Sequence, residues 1–339
     1  MVAVILVNWN GFEDTIACIS SLRKCDDKDF FVVVCDNGST NDSVSQITSY
    51  CQEHHLRFDT FEKTESCRPN VTLTNGHILL YQLGDNYGFS KGNNIGIQFA
   101  SFFHPEYYLL LNNDTEVEPD FLCRLIEFQR AHTQYKVLTP LIHYYYDKYL
   151  IWNGGGNIYW GFRKYHFADQ NESVVPKQES IPCTFITGCA LFFVPELLDE
   201  KQRLLTEKFF FGEEDFEFGL RMKKLKVKMA CVLDSVIYHK VGGSRKSNAN
   251  KIGYTYIYYL NRIINVRDYL PSWQFPFYEL VFYASVARVL KIYYNFKWKR
   301  IVRFIKKMKI DSNRMSGVSK DFFLHTISDN SNLFGSSSI

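Results

Sequence analysis

Four short apolar runs constrain this chain most: Val2–Val7, Phe30–Cys35, Ile78–Leu83 and Tyr107–Leu111. None alternates polar with apolar, so each reads as a strand buried on both faces. Helical patterns separate them. Ile16, Ile19 and Leu22 share the face of one helix, which Asp14 can cap. Val44 and Ile47 belong to a second, and a third runs from Lys91 to about Phe102 with Ser90 as its cap. Pro119 suits the first turn of a fourth. Residues 54–76 are polar and aperiodic and are expected to form an irregular excursion. Buried strands joined by helices predict an α/β fold with a parallel sheet of βαβ units. Ligands of such sheets bind beyond the carboxyl ends of the strands. The residues there are Asn8, Asp36, Gly84-Asp85-Asn86 and Asn112-Asn113-Asp114, so four strand ends bring carboxylates and amides to one edge.

The rest of the chain is patterned differently. Residues 130–240 hold an aromatic, glycine-rich stretch at Trp152–Gly156, an apolar run at Ala190–Val194 and the acidic cluster Glu213-Glu214-Asp215. From about residue 252 the pattern is helical and aromatic. No acidic residue lies between Glu279 and Asp311, whereas nine basic ones lie between Arg288 and Lys309. The tail from Asp311 is rich in Ser and Asn and is expected to fray. Hydrophobic residues at 46% exclude wholesale disorder, and a net charge of +3 (39 − 36) excludes nucleic-acid binding by bulk charge. The nine cysteines include no CxxC pair, which argues against a zinc ribbon or redox pair and for buried thiols in a reducing compartment. Val2–Val7 is too short for a signal peptide or a membrane span, and no later stretch reaches eighteen uncharged apolar residues. A cytoplasmic protein is expected.

Five segments can carry chemistry, and each has a bland reading beside the functional one. Asp36-Asn37-Gly38-Ser39 can offer a carboxylate to a base or ribose, or can be a turn with a helix cap. Asn86–Asn94 places two glycines at a helix start, where free N–H groups suit a diphosphate; it is neither a Walker A loop nor GxGxxG. Asn112-Asn113-Asp114 can give hard oxygen ligands to Mg²⁺ or Mn²⁺, or simply cap a loop. Glu213-Glu214-Asp215 follows Phe209-Phe210-Phe211-Gly212; an aromatic wall raises carboxylate pKa values toward those of a general base, while acidic residues at a helix start also serve the helix dipole. His239 comes a few residues after an expected strand, Lys228–Leu233, and can ligate a metal with Asp114 or be structural.

Together and in this order, VNWNG (7–11), DNGSTND (36–42), NYGFSKGNNIGI (86–97), LLLNNDTEVEP (109–119), ITGCALFF (186–193), FFFGEEDFEFGLR (209–221) and YHKVGGS (238–244) resemble the family-2 glycosyltransferases. The nearest likeness is to the rhamnosyltransferase-like branch of bacterial surface polysaccharide synthesis, lipopolysaccharide or capsule. The resemblance covers about residues 1–245. It implies a GT-A nucleotide-sugar-binding fold with a mostly parallel, Rossmann-like sheet and a C-terminal helical extension. It divides the chain into a nucleotide-sugar-binding half (1–118), an acceptor-binding and catalytic half of the same domain (119–250), an aromatic and basic helical segment (251–310) and a flexible tail (311–339). It makes Asp215 the general base. Asp36 then contacts the nucleobase or ribose with Asn8 nearby, and Asn86, Gly88, Lys91, Asn93 and Asn113 bind the donor. Asp114 and His239 hold Mg²⁺ or Mn²⁺, and Trp152 and Glu214 face the acceptor. Asn-Asn-Asp has one carboxylate where many relatives have two or three, which implies weaker metal binding. Glu217 stands where relatives often carry Asp and is given no catalytic role.

The implied reaction is inverting transfer from a nucleoside-diphosphate sugar, dTDP-rhamnose or a UDP-sugar, to a hydroxyl of a glycan or lipid-linked acceptor. The aromatic, basic segment at about 273–310 then fits an amphipathic helix on the anionic inner face of the membrane, or a packing arm or dimer contact. Trp152, Tyr159 and Trp160 suit stacking on sugar rings or core packing equally. Two alternatives stand beside transfer. One is a nucleotidyltransferase on a similar sheet, whose Gly-rich, Lys-bearing N-terminal loop is absent; the other is a non-catalytic sugar-binding module of an assembly complex.

Overall fold

A computed structural model of the chain describes residues 1–63, 69–241, 251–329 and 333. In chain order the first half comprises β1 (Val2–Asn8), α1 (Phe12–Leu22), β2 (Phe30–Asp36), α2 (Ser43–Glu53), β3 (Phe58–Glu62), β4 (His77–Gln82), α3 (Gly88–Ser101), β5 (Tyr107–Leu111), β6 (Thr115–Val117), α4 (Phe121–Ala131) and β7 (Tyr135–Tyr144). There follow β8 (Leu150–Asn153), β9 (Gly156–Tyr159), β10 (Phe162–Tyr165), β11 (Gln170–Asn171), β12 (Ser180–Cys183), β13 (Ala190–Phe193), α5 (Glu214–Lys224) and β14 (Lys228–His239). Helices α6 (Lys251–Tyr269), α7 (Phe275–Ile292), α8 (Trp298–Arg314) and α9 (Lys320–Ser328) complete the described chain.

The expected parallel sheet is present. Strands β5, β1, β2, β4 and β3 lie side by side in that order, all parallel. Their alternate residues face two separate cores, which explains the absence of polar alternation. Val4, Leu6, Val32 and Leu109 pack against Cys18, Ile19, Leu122 and Leu125 of α1 and α4. Ile5, Val33 and Leu110 pack against Ile97 and Phe99 of α3 and Phe218 and Met222 of α5. The sheet then changes sense. β13 pairs antiparallel with both β5 and β7, carrying the second half of the chain into the same sheet. β14 runs parallel to β7 and antiparallel to β6 and β12. A third core joins α6, α7 and α8 to Phe185, Phe216 and Ile158, so the C-terminal helices pack against β9, α5 and the segment before β13.

Several local expectations are corrected. β3 lies inside the excursion expected at 54–76; it is an edge strand with no fully buried residue, so it lacks the apolar run that marks its neighbours. α1 starts at Phe12, which leaves Asp14 within its first turn, where it pairs with Lys240 at 3.1 Å. α3 starts at Gly88, so Ser90 is likewise inside the helix rather than its cap. The strand expected at Lys228–Leu233 continues to His239 and carries that residue itself. Residues 311–329, placed in a fraying tail, form the end of α8 and all of α9, with Phe323 buried. Cys67 and Gly242-Gly243-Ser244 lie outside the described residues. The described cysteines are free, and all but Cys123 are buried. No helix of the described residues is long and apolar enough to cross a membrane.

Leu110 is fully buried in the strand between β1 and β13. Leu110→Ala is expected to lower unfolding free energy by about 2–5 kcal/mol through lost burial and a residual cavity. Urea denaturation measures this, and a change under about 0.5 kcal/mol, the scale of a surface substitution, would contradict the packing described.

Candidate active site

The strand ends are tied together by side-chain hydrogen bonds. Asn8 and Asp36 are register partners at the ends of β1 and β2, and both are buried. Asn8 Nδ2 donates to Asp36 Oδ1 at 2.9 Å and to Ser39 Oγ at 3.1 Å. Asp36 also accepts from the Ser39 amide at 3.1 Å and the Ser39 hydroxyl at 2.5 Å. The carboxylate is therefore fixed in direction at the sheet edge. Asn37, which has no assigned role among the motifs, links this turn to the next strand end. Its Nδ2 donates to Asn86 Oδ1 and to the Gly88 carbonyl, each at 3.2 Å, and its Oδ1 accepts from the Tyr87 amide at 3.0 Å. Asn86 Oδ1 in turn accepts from the Gly88 amide at 2.9 Å.

Gly88 opens α3 with φ +78°, and a Cβ there would fall 2.1 Å from the Phe210 carbonyl oxygen. The glycine is needed on both counts: left-handed backbone and close approach of a second chain segment. It packs the start of α3 against the aromatic run that leads into the acidic cluster. Lys91 is exposed, its ammonium 4.8 Å from the Tyr87 ring. Asn93 lies on the buried side of α3 and donates to the Phe89 carbonyl at 3.0 Å.

Asp114 sits in the turn between β5 and β6, across from His239 on β14. Asp114 Oδ1 and His239 Nε2 are 3.1 Å apart. Neither atom, nor His239 Nδ1, has an aligned hydrogen bond, although all three are buried. Burial opposes charge on the imidazole, while the adjoining Cys189 sulfur and the Asp114 carboxylate favour it, and the balance carries His239 up to about 10. The Trp152 ring stands edge-on against His239 with centroids 4.4 Å apart. Asn113 turns toward α1, its Nδ2 donating to Thr15 Oγ1 at 2.9 Å and to the Gly11 carbonyl at 3.4 Å.

An oxygen and a nitrogen, buried and facing each other at 3.1 Å, fit a divalent cation of the Mg²⁺ or Mn²⁺ kind once the imidazole gives up its proton to the incoming ion. They do not make a complete shell. Among the described residues no group of three or more His, Cys, Asp and Glu converges into a metal cage. Phosphate oxygens and waters would have to supply the remaining positions, which is how Mg²⁺ commonly binds beside substrate phosphates.

The acidic cluster starts α5. Glu213 precedes the helix in a left-handed conformation, φ 69°, and is buried. Its carboxylate receives Nη2 of Arg262 at 2.9 Å as well as Nε of the same guanidinium. Glu214 Oε2 is buried without a partner, and burial together with the Asp215 charge pushes its carboxyl up to about 8. Burial raises Asp215 too, while Arg163, 3.6 Å away, holds it down. Glu217 is structural: it accepts from Arg221 at 3.1 Å and from the Tyr269 hydroxyl.

Two consecutive residues join these groups. The Gly188 amide faces the Asp215 carboxylate, and a Cβ on Gly188 would lie 4.0 Å from the Asp215 Cβ. Cys189 is beside His239 and Asp114, and its carbonyl accepts from the Asn112 amide at 2.8 Å. Asp215 and the Asp114–His239 pair thus flank one dipeptide just before β13. Phe89, next to Gly88, also reaches Gly188: a Cβ there would be 3.1 Å from its ring. The Asn86–Gly88 turn, the Asp114–His239 pair and Asp215 therefore border the same region. Sequence reasoning missed Asn37, Cys189, Arg163 and Arg262; Asn37 and Cys189 lay within the motifs DNGSTND and ITGCALFF, the two arginines in none.

Gly88→Ala is expected to destabilise the fold more than Gly76→Ala. Gly76 has φ +70° with nothing within 4 Å of a built Cβ, so alanine there meets only the backbone cost, about 1 kcal/mol. Alanine at 88 adds a collision with backbone, a further ~1–3 kcal/mol. Thermal melts of the two variants compare them, and equal melting temperatures would contradict the close approach to Phe210.

Residues 3–192 match the family model described as Glycosyl transferase family 2. The sequence matches no curated protein at a significant level. In fold the chain is similar to Staphylococcus aureus TarS 1–349, with TM-score 0.52 and 13% identity, covering 96% of this chain and 80% of that one. It is similar to a mannosyltransferase, PcManGT from Pyrobaculum calidifontis, solved with GDP-Man and Mn²⁺, with TM-score 0.52 and 13% identity over 99% of this chain and 88% of that one. It is also similar to GalNAc-T7 solved with UDP, GalNAc and Mn²⁺, with TM-score 0.56 and 16% identity, where it covers 99% of itself but 58% of the other chain. These likenesses bear out the GT-A fold expected from the motifs. With more than half its length matched by the family model, the chain belongs to glycosyl transferase family 2.

Proposed function

We propose that this glycosyltransferase moves a sugar from a nucleoside-diphosphate sugar to an acceptor hydroxyl in one displacement that inverts the anomeric centre, with Asp215 as general base. The observation that carries the reading is the shared position of Asp215 and the Asp114–His239 pair beside Gly188 and Cys189. A hydroxyl is a poor nucleophile near neutral pH, and a carboxylate against it accepts its proton as attack proceeds. Asp215 keeps 19% of its side chain exposed, enough to meet an acceptor. Burial and the Asp215 charge raise the Glu214 carboxyl, and in its protonated form it can donate a hydrogen bond to the acceptor. Asp36, fixed by Asn8 and Ser39, holds the nucleoside, with the Asn86–Gly88 turn, Lys91 and the α3 N-terminus near the diphosphate.

Asp114 and His239 would hold Mg²⁺ or Mn²⁺, and the ion supplies charge stabilisation for the departing nucleoside diphosphate. Solved relatives of the same fold carry Mn²⁺ with UDP or GDP-Man, which supports the cation and the donor class. The motif likeness favours dTDP-rhamnose or a UDP-sugar as donor. It favours a glycan or lipid-linked acceptor of surface polysaccharide synthesis, Trp152 lying beside the cation pair to meet it.

Asp215→Asn is expected to lower nucleoside-diphosphate release, measured with a panel of UDP-, dTDP- and GDP-sugars, by about 10²-fold or more, while UDP with Mn²⁺ still raises the melting temperature. EDTA is expected to suppress turnover in the native enzyme, with Mn²⁺ restoring it. Full turnover in the Asn variant would remove the base assignment, and pyrophosphate as the product would move the chain to nucleotidyl transfer.

The lipid-linked acceptor has structural support in α7. Phe277, Leu280 and Val281 stand on one exposed face, at 63%, 73% and 45% accessibility, and the same face continues into Arg288 and Lys291. Exposed apolar groups followed by cations suit the surface of an anionic bilayer. Phe277→Glu combined with Leu280→Glu is expected to weaken sedimentation with phosphatidylglycerol vesicles at least about tenfold. Undiminished binding, or equal binding to neutral phosphatidylcholine vesicles, would overturn the membrane role, and a change of oligomeric state instead would mark the face as a subunit contact.

A further inference from the structure

Three consecutive carboxylates open α5, and two guanidiniums from distant elements meet them. Arg163 lies on β10, whose hairpin with β9 turns at Trp160 and Gly161, both with positive φ as a two-residue type I′ turn requires. Its Nη2 is 3.3 Å from Glu213 Oε1 and its Nη1 is 3.6 Å from Asp215 Oδ1. The guanidinium packs beside the rings of Phe185 and Tyr165, at 5.0 and 5.3 Å, which also touch each other. Arg262, on α6, pairs with Glu213 through two nitrogens and stacks 3.8 Å from the Phe216 ring. Asn265 donates to the Glu213 carbonyl at 2.9 Å, and Asn261 donates to the Gly212 carbonyl at 2.9 Å and the Phe211 carbonyl at 3.0 Å. Helix α6 therefore grips the backbone of 211–213 as well as the Glu213 side chain.

We propose that Arg163 is the positioning residue for Asp215, bridging it to Glu213, and that the C-terminal helical unit anchors this bridge through Arg262. This rests on Asp215 being the base. A planar guanidinium can touch two carboxylates at once, whereas a lysine ammonium reaches one at a time. Glu213 cannot follow Asp215 or swing away, because Arg262 and Asn265 fix it. The ion pairs set two carboxylates, Glu213 and Asp215, against two guanidiniums, Arg163 and Arg262. The groups facing Asp215 are Glu213 and Glu214 from its own segment, Arg163 and Tyr165 from β10, Arg262 and Tyr258 from α6, and the Gly188 amide. Removing Arg163 leaves Asp215 beside two carboxyls with Arg262 committed to Glu213. Its carboxyl then keeps a proton to higher pH and loses its fixed direction.

The test uses the full chain and the nucleotide-sugar panel, recording kcat and KM against pH for the native enzyme, Arg163→Met, Arg163→Lys and Asp215→Asn. In Arg163→Met the acidic limb of kcat is expected to move up by about one pH unit or more, with an unchanged donor KM. At pH values below the limb the rate then falls about tenfold, and it returns as the pH is raised. Arg163→Lys, which keeps the charge and nearly the size, should restore part of the rate and most of the limb. A native limb and rate in Arg163→Met would overturn the proposal. So would equal, pH-independent losses in the Met and Lys variants, the mark of a purely structural role. If Arg163→Met does not fold, Arg163→Gln takes its place with the same raised limb expected, and a native limb and rate there overturn the bridging role. Asp215→Asn separates the two readings: full turnover there removes the base itself, whereas lost turnover there with a native Arg163→Met profile removes only the bridge.

Discussion

Everything functional in this molecule depends on the antiparallel seat of β13 between β5 and β7. The five parallel strands on their own present one edge with Asn8, Asp36 and Asn86 near it. Only when β13 enters beside β5 do Gly188 and Cys189 reach that edge. Cys189 then accepts from the Asn112 amide and lies against the Asp114–His239 pair, while Gly188 meets Asp215 and Phe89. Small residues at this point let three segments approach one backbone. The fully buried strand residues Leu191, Phe192 and Phe193 hold it there, Phe193 stacked on Tyr108 at 5.2 Å.

The site also carries an electrostatic cost that its surroundings offset. Carboxylates out of water are strongly disfavoured unless paired. Glu213 is paired twice, Asp215 once and at longer range, and Glu214 is left unpartnered and held near protonation. This gradient places three neighbouring acids in different environments, as the proposed division of roles requires. The left-handed backbone at Glu213 adds a cost of about 1–3 kcal/mol, of the sort found where surrounding structure over-determines a functional segment. Here α6 supplies that constraint, so the C-terminal helices are tied to the segment that leads into Asp215 as well as to the fold.

How much of this was legible in the sequence follows from burial and chain separation. β1, β2, β4 and β5 stood out because both their faces are buried, and their polar ends fell at one sheet edge as the topology demands. β3 did not, since an edge strand packed on one side has no continuous apolar run. β14 was read too short because its register shifts between Val232 and Val236, where Asp234 interrupts the apolar pattern. Motifs singled out Asp36, Asp114, Asp215 and His239. Arg163 and Arg262 carry no local signal: their partner Glu213 is 50 and 49 residues away, and only tertiary packing brings them together. The helix α9 was hidden by a Ser- and Asn-rich composition, although Phe323 and the Ser319 cap fix it in place.

The most direct measurement is a crystal structure of the enzyme with Mn²⁺ and an unreactive nucleotide-sugar analogue. The account predicts the nucleoside against Asp36, the ion between Asp114, His239 and the diphosphate, and the anomeric carbon directed toward the side of Gly188 that holds Asp215. A diphosphate bound away from the Gly188–Cys189 segment, with Asp215 on the far side of the protein from the sugar, would contradict it.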